Sequence, residues 1–107
     1  MSGPEAARAI GISPSTLHAW IAKGRLIGWK TTKRGVKVPQ DQILGPGRIV
    51  KGIPELLEII EDPELAWAFL RQKWPFADDV ARPIDKLRAG ALKEVLDAAP
   101  SFGNSFT

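Results

Sequence analysis

The chain has 107 residues and no cysteine, which implies one compact fold or two very small ones and excludes disulfides and thiolate metal sites. No apolar stretch reaches the roughly 18 residues of a membrane helix, and the opening Met1-Ser2-Gly3-Pro4 leads into no signal-peptide core, so a cytoplasmic setting without membrane contact is expected. The net charge of +3 is divided unevenly. Residues 1–52 carry nine basic side chains against Glu5 and Asp41, net +7, and residues 53–107 carry six against ten acidic ones, net −4. A basic half joined to an acidic half implies one surface for a polyanion and another for something else.

In chain order, residues 4–9 predict a short alanine-rich helix ended by Gly11. Ser13 is a good N-cap, Pro14 suits the first helical position and Gly24 is a good stop, so a second helix is expected over 14–23. Two short helices around a tight glycine turn make a helix-turn-helix. Leu17, Trp20, Ile21 and Gly24 fall on one stripe and face inward, leaving Ser15, His18, Ala19 and Ala22 outside. Ile27-Gly28-Trp29-Lys30-Thr31 and Val36-Lys37-Val38, around a turn at 32–35, predict a hairpin with a basic tip, a wing. After Pro39 a short helical turn is expected over 40–44, and Gly45-Pro46-Gly47 reads as a linker. The expected division is a winged helix-turn-helix in 1–46 and a helical domain in 47–107.

The second half reads as helical. Ile53, Leu56, Leu57 and Ile60 form a stripe opened by Pro54, and Asp62-Pro63 starts a helix running to about Trp74, with a break at Pro75. Arg82-Pro83 opens a short helix that Gly90 ends. Leu92, Val95, Leu96 and Ala99 give a last helix up to Pro100, and the tail 101–107 is expected to be irregular. The fold class is mainly α, a small winged helix-turn-helix followed by a compact helical bundle.

A recognition helix needs small or polar side chains at its leading end to approach base edges in the major groove. Ser15, Thr16 and His18 fit that role, with Lys23 and Arg25 behind them. Lys30, Lys33, Arg34 and Lys37 lie on or near the wing, where cations meet phosphates or enter the minor groove. A purely structural account competes: Ser13 and Thr16 as caps only, His18 as a solvated side chain, the wing as a solvated charged hairpin. Nine basic residues against two acids favour phosphate contact. Trp20 and Trp29 read as packing residues rather than stacking platforms.

In the second half Leu65-Ala66-Trp67-Ala68-Phe69-Leu70 covers every face of a helix. It is either the central helix of the bundle or partly covered by another chain, which makes Trp67 and Leu70 candidates for a partner surface. Trp74, Phe76, Phe102 and Phe106 add aromatic weight of the kind enriched at interfaces, the alternative being that they complete the core. Catalysis finds no support. There is one histidine, no nucleophile elbow and no phosphate-cradling glycine loop, and adjacent Asp78-Asp79 point apart, so no catalytic residue, metal ligand or cofactor is expected.

Ala6-Ala7-Arg8-Ala9-Ile10-Gly11-Ile12-Ser13, Thr16-Leu17-His18-Ala19-Trp20 and Gly24-Arg25-Leu26 together resemble the DNA-binding unit of MerR-like and excisionase-like regulators. Residues 48–107 resemble the C-terminal toxin-binding domain of the Xre/MbcA/ParS antitoxin family. The carrying residues are Gly52-Ile53-Pro54-Glu55-Leu56-Leu57, Asp62-Pro63 with Ala66-Trp67-Ala68-Phe69-Leu70, Arg82-Pro83-Ile84-Asp85-Lys86-Leu87-Arg88-Ala89-Gly90, and Ala98-Ala99-Pro100-Ser101-Phe102-Gly103. The resemblance implies the antitoxin of a type II toxin-antitoxin system, which neutralises a RES-domain, NAD-degrading toxin by direct binding and represses its own operon. It makes Arg82, Pro83 and Arg88 toxin-binding candidates, and implies double-stranded operator DNA and the cognate toxin as partners in a homodimer or hetero-oligomer. The alternative is a MerR- or excisionase-like transcriptional regulator or DNA-architectural protein whose C-terminal bundle self-associates, with no toxin.

Overall fold

A computed structural model of the chain describes residues 1–32 and 35–104. The architecture is mainly α, with three short antiparallel strand pairs. Helix α1 (Gly3–Ile10) begins in a reciprocal cap between Ser2 and Glu5, and ends at Gly11, whose left-handed backbone (φ 86°) turns the chain without a Cβ penalty. Helix α2 (Pro14–Ala22) starts at Ser13, whose Oγ accepts from the Thr16 N–H at 3.1 Å. Strands β1 (Trp29–Lys30) and β2 (Val36–Lys37) form the wing, pairing Trp29 with Lys37 and Lys30 with Val36. The N-terminus adds a third edge to it, because Ser2 bridges Lys37 and the Val38 N–H donates to Met1 O.

The wing leads through a 3-10 turn at Gln40–Gln42 into β3 (Ile43–Gly45), which pairs with β4 (Arg48–Ile49). Gly45-Pro46-Gly47 is therefore the turn of a hairpin and not a linker, and the expected 46/47 boundary falls inside that turn. The turn is anchored, since the Gly47 N–H donates to Ile10 O at 2.6 Å. Gly52 then swings the chain into α3 (Ile53–Ile59) with φ 103°, tight against Leu92, where a Cβ has no room.

Helix α4 (Pro63–Arg71) is capped by the Asp62 carboxylate, which accepts from the N–H groups of Glu64 and Leu65. It ends three residues before the expected Trp74, because Trp74–Pro75 (β5) pairs with Val80–Ala81 (β6) in a small hairpin. Helices α5 (Pro83–Arg88) and α6 (Leu92–Asn104) complete the chain. The last helix passes through Pro100 to Asn104 instead of stopping there, so 101–104 are helical and not irregular; residues 105–107 lie outside the described residues. Pro100 removes one helical hydrogen bond, but Phe102 is buried beside Phe69 and Trp74, at ring separations of 5.3 and 6.1 Å, and that packing docks the turn.

Two buried clusters organise the interior. The smaller one joins Ala6, Ala7, Ile10, Leu17, Leu26 and Val38 beneath the helix-turn-helix. The larger one is built on α3 to α6 around Phe69, but it includes Ile27 from the approach to the wing and Val50 from just beyond β4, and Ile49 packs against both clusters. Gln42, fully buried, stitches the seam. Its Oε1 accepts from the Ile27 N–H at 2.9 Å, and its Nε2 donates to Ile27 O at 2.8 Å and Pro39 O at 3.0 Å. An amide satisfied on all three sides supplies backbone-like pairing where no strand reaches.

Candidate nucleic-acid interface

The site is built on α2. Leu17 is buried, Trp20 and Ile21 are half-buried, and Ser15, His18, Ala19 and Ala22 are exposed on the opposite face. On a 3.6-residue repeat, His18 lies toward the Ile21 edge of that face, and Thr16 and Lys23 toward the Trp20 edge. Ile21 packs against Gly28 at the foot of the wing, where an added Cβ would stand 2.8 Å from Ile21 Cδ1. The wing thus flanks the His18 edge. Thr16 is half-buried and occupied in the cap, its Oγ1 accepting from the Ser13 hydroxyl at 2.9 Å, so of the expected leading residues Ser15 and His18 are the ones presented.

Lys23, Lys30 and Lys37 are exposed. Lys30 and Lys37 lie on opposite faces of the wing, since each pairs with a residue of the other strand that alternates with it. Arg25 is exposed and stacks on Trp20, its guanidinium carbon 4.9 Å from the ring centroid. Lys33 and Arg34 lie outside the described residues.

The two acids of the first half are turned to other tasks. Glu5 closes the cap of α1, its carboxylate accepting from the Ser2 N–H, and the Ser2 side chain and amide together hold its carboxyl below the ordinary range. Asp41 faces Arg82 of the second half at 3.6 Å. Among the described residues no basic side chain of residues 1–52 stands in an ion pair.

In the second half four of the six basic side chains are engaged, while Arg71 and Lys73 are exposed and in no ion pair among the described residues. Lys86 is shared by Asp79 at 3.0 Å and Glu94 at 3.1 Å, Lys93 pairs with Asp97 at 2.9 Å, and each lysine is raised by those bonds. Arg82 makes a two-pronged bond to Asp85, at 3.0 and 2.9 Å, which raises the guanidinium and lowers the carboxyl. Arg88 donates to Asp41 O at 2.7 Å and Ile43 O at 3.2 Å.

This changes the picture of the expected partner surface. Arg82 and Arg88 reach the Asp41 segment and tie the two halves of the chain together at the surface. Leu70, Pro83 and Phe102 are buried. Trp74 is half-buried with its ring edge-on to Phe69 at 5.3 Å, and Trp67 is half-buried against the same core. The apolar run 65–70 buries Ala66, Phe69 and Leu70 in the larger cluster and leaves Leu65, Trp67 and Ala68 half-exposed at its margin. Phe76 is half-buried beneath Lys86, whose Nζ stands 5.0 Å from its ring centroid. Phe106 lies outside the described residues.

Sequence reasoning counted Arg48 and Lys51 in the basic half without giving them a position. Both are exposed, and Lys51 lines a cleft of about 640 Å³ with Trp20, Arg25, Gly47, Ile49 and Glu55. The apolar pairs Ile43-Leu44 and Ile49-Val50 on either side of Gly-Pro-Gly were the signal for a hairpin here. Among the described residues no group of three His, Cys, Asp or Glu side chains is arranged to hold a metal ion, and no helix is long and apolar enough to cross a membrane.

No protein-family profile and no curated protein matches the chain. A solved structure described as the NMR structure of Rv2175c is similar in fold, with a TM-score of 0.69 and 27% sequence identity. The match covers 95% of this chain and 79% of that one, so it runs through both halves.

Proposed function

We propose that the protein binds double-stranded DNA through its winged helix-turn-helix and works as a transcriptional regulator or DNA-architectural protein of the cytoplasm. The observation that carries this reading is the charge arrangement around α2. A face of small and polar side chains is bordered by Lys23, Arg25, Lys30 and Lys37, while both nearby acids are engaged elsewhere. Ser15 and His18 then meet base edges or phosphates in the major groove, and the wing lysines meet the backbone beside it. The reading gives the chain no catalytic role and no cofactor. A single module of this kind buries roughly 600 to 1,000 Å² on DNA, so tight regulation requires two copies.

The test is selection of duplexes from a random pool, followed by anisotropy titrations of the selected sequence across a salt series. With four to six phosphates neutralised, log affinity should fall against log salt with a slope of about −0.9 for each contact. His18→Ala should narrow the gap between selected and random duplexes, and Lys30→Gln with Lys37→Gln should weaken both alike. Failure to bind any duplex at low salt overturns the reading.

A second reading, an antitoxin that neutralises a RES-domain toxin and represses its own operon, rests on the sequence resemblance and on one surface feature. Val80 is 65% exposed on the β5–β6 hairpin, opposite Pro75, and Phe76 in the same hairpin is half-buried. Because the motif arginines are engaged within the chain, a toxin would be gripped through Trp67, Phe76 and Val80. Co-expression with the adjacent gene should then give a stable complex and relief of toxicity, and absence of both rejects this second reading.

A further inference from the structure

We propose that the β3–β4 hairpin is a second phosphate-binding element, with Arg48 and Lys51 gripping the DNA backbone on the side of α2 opposite the wing. The inference rests on the DNA-binding reading and extends it to residues outside the helix-turn-helix and wing. A helix lying in a major groove has a phosphate backbone along each of its two edges. The wing attends only the Ile21 and His18 edge of α2. On the other edge, Trp20 forms one wall of a cleft whose further lining comes from Arg25, Gly47, Ile49 and Lys51. The hairpin is held in register with the recognition unit, since its turn is tied by Gly47 to Ile10, at the end of α1.

The chemistry of this edge suits a polyanion. Arg25 is oriented by its stack on Trp20 at 4.9 Å, Lys51 lines the same cleft, Arg48 lies exposed on the adjoining cleft that Lys51 also borders, and none of the three has an acid partner among the described residues. Glu55 lines the cleft from the α3 wall, so the backbone passes on the hairpin side, with Glu55 as a repulsive border. The occupant is the phosphodiester backbone of the bound duplex, read for charge and not for sequence.

The experiment measures duplex affinity of the full chain across a salt series for wild type and three double or single variants. Arg48→Gln with Lys51→Gln should weaken selected and random duplexes equally, and make the salt slope shallower by about 1.8 for two lost contacts. Arg71→Gln with Lys73→Gln removes the same charge from exposed positions in the second half and should leave the slope unchanged. Glu55→Gln should tighten binding a few-fold. Thermal unfolding of each variant checks that the fold is retained. If wild type binds with the expected slope and the Arg48/Lys51 variant matches it, the second element is overturned while the DNA-binding reading stands. An equal loss from the Arg71/Lys73 variant also overturns it, because the effect is then net charge. If wild type binds no duplex, the underlying reading fails first.

Discussion

The two halves of this protein differ in how they use their cations: most of those in the second half are engaged within the chain, and those described in the first are in no ion pair. In the second half, Arg82, Lys86 and Lys93 each have a carboxylate within 3.1 Å, and Arg88 is taken by backbone carbonyls. In the first, the basic side chains project from α2, the wing and the β3–β4 hairpin, and the two acids that could neutralise them are held in a cap and in a bridge to the other half. Net charge per half thus understates the contrast. What matters for an anionic partner is which cations still lack a counter-charge in the folded chain, since an internally paired one must lose its partner before it can serve another.

The contrast in charge does not extend to the core, and the largest expected effect tests that point. Phe69→Ala should remove about 3 to 5 kcal/mol and, because Ile27 and Val50 share its cluster, should lower the unfolding midpoint of the whole chain in one transition. Denaturant unfolding followed by Trp fluorescence, with Trp20 and Trp29 replaced in one background and Trp67 and Trp74 in another, checks this. Separate midpoints for the two halves would break the picture of a shared interior.

Gln42 at the seam comes next. Gln42→Leu leaves the Ile27 N–H, Ile27 O and Pro39 O without partners, at about 1 to 3 kcal/mol for a buried unsatisfied group. Gln42→Glu should be worse at neutral pH than in acid. A carboxylate there faces two carbonyl oxygens and is desolvated, so its folded pKa is raised, and the stability regained at low pH is lost as pH rises through that value. Urea midpoints at the two pH values measure the difference.

Arg88→Met should loosen the junction by at most roughly 1.5 to 3 kcal/mol, the range for hydrogen bonds to charged groups, less for an exposed side chain, while sparing the core. Hydrogen exchange should then rise in the Gln40–Gln42 turn and β3 before it rises in α4. Ser13→Ala should cost about 1 kcal/mol through the lost N-cap of α2, and should weaken DNA binding along with stability because it frays the leading turn. The smallest effect is electrostatic. Asp85 is lowered by Arg82, so its contribution is present above the ordinary carboxylate pKa and fades as pH falls through the lowered value. With the pair about half exposed, screening keeps this below about 1 kcal/mol. Asp85→Asn should flatten the acid limb of the stability curve by that amount.

The helix-turn-helix was the most legible part of the chain. Ser13, Pro14 and Gly11 act through their own backbone, and Leu17, Trp20 and Ile21 sort by helical period, so caps and faces follow from local rules. The second half was legible as helices but not as a surface. An apolar run such as 65–70 has the same pattern whichever of its faces is covered, and only the tertiary packing decides that Ala66, Phe69 and Leu70 are buried while Leu65, Trp67 and Ala68 stay half-exposed. The motif arginines were ambiguous for a related reason, because a guanidinium reaches far enough to bond an aspartate three residues away, a carbonyl some forty-five residues away, or a partner.

By itself, then, the order of residues determined the winged helix-turn-helix, the outward set Ser15, His18, Ala19 and Ala22, and the basic excess of the first half, since each depends on neighbours within a turn or two of chain. The tertiary structure alone decided that Gly45-Pro46-Gly47 closes a hairpin rather than separating domains, that Arg82 and Arg88 bond to the Asp41 segment, and that Lys51 joins Arg25 and Trp20 in one cleft. Those outcomes rest on contacts between residues far apart in sequence, where burial and hydrogen-bond satisfaction across the whole chain select one pairing from many that local pattern leaves equal.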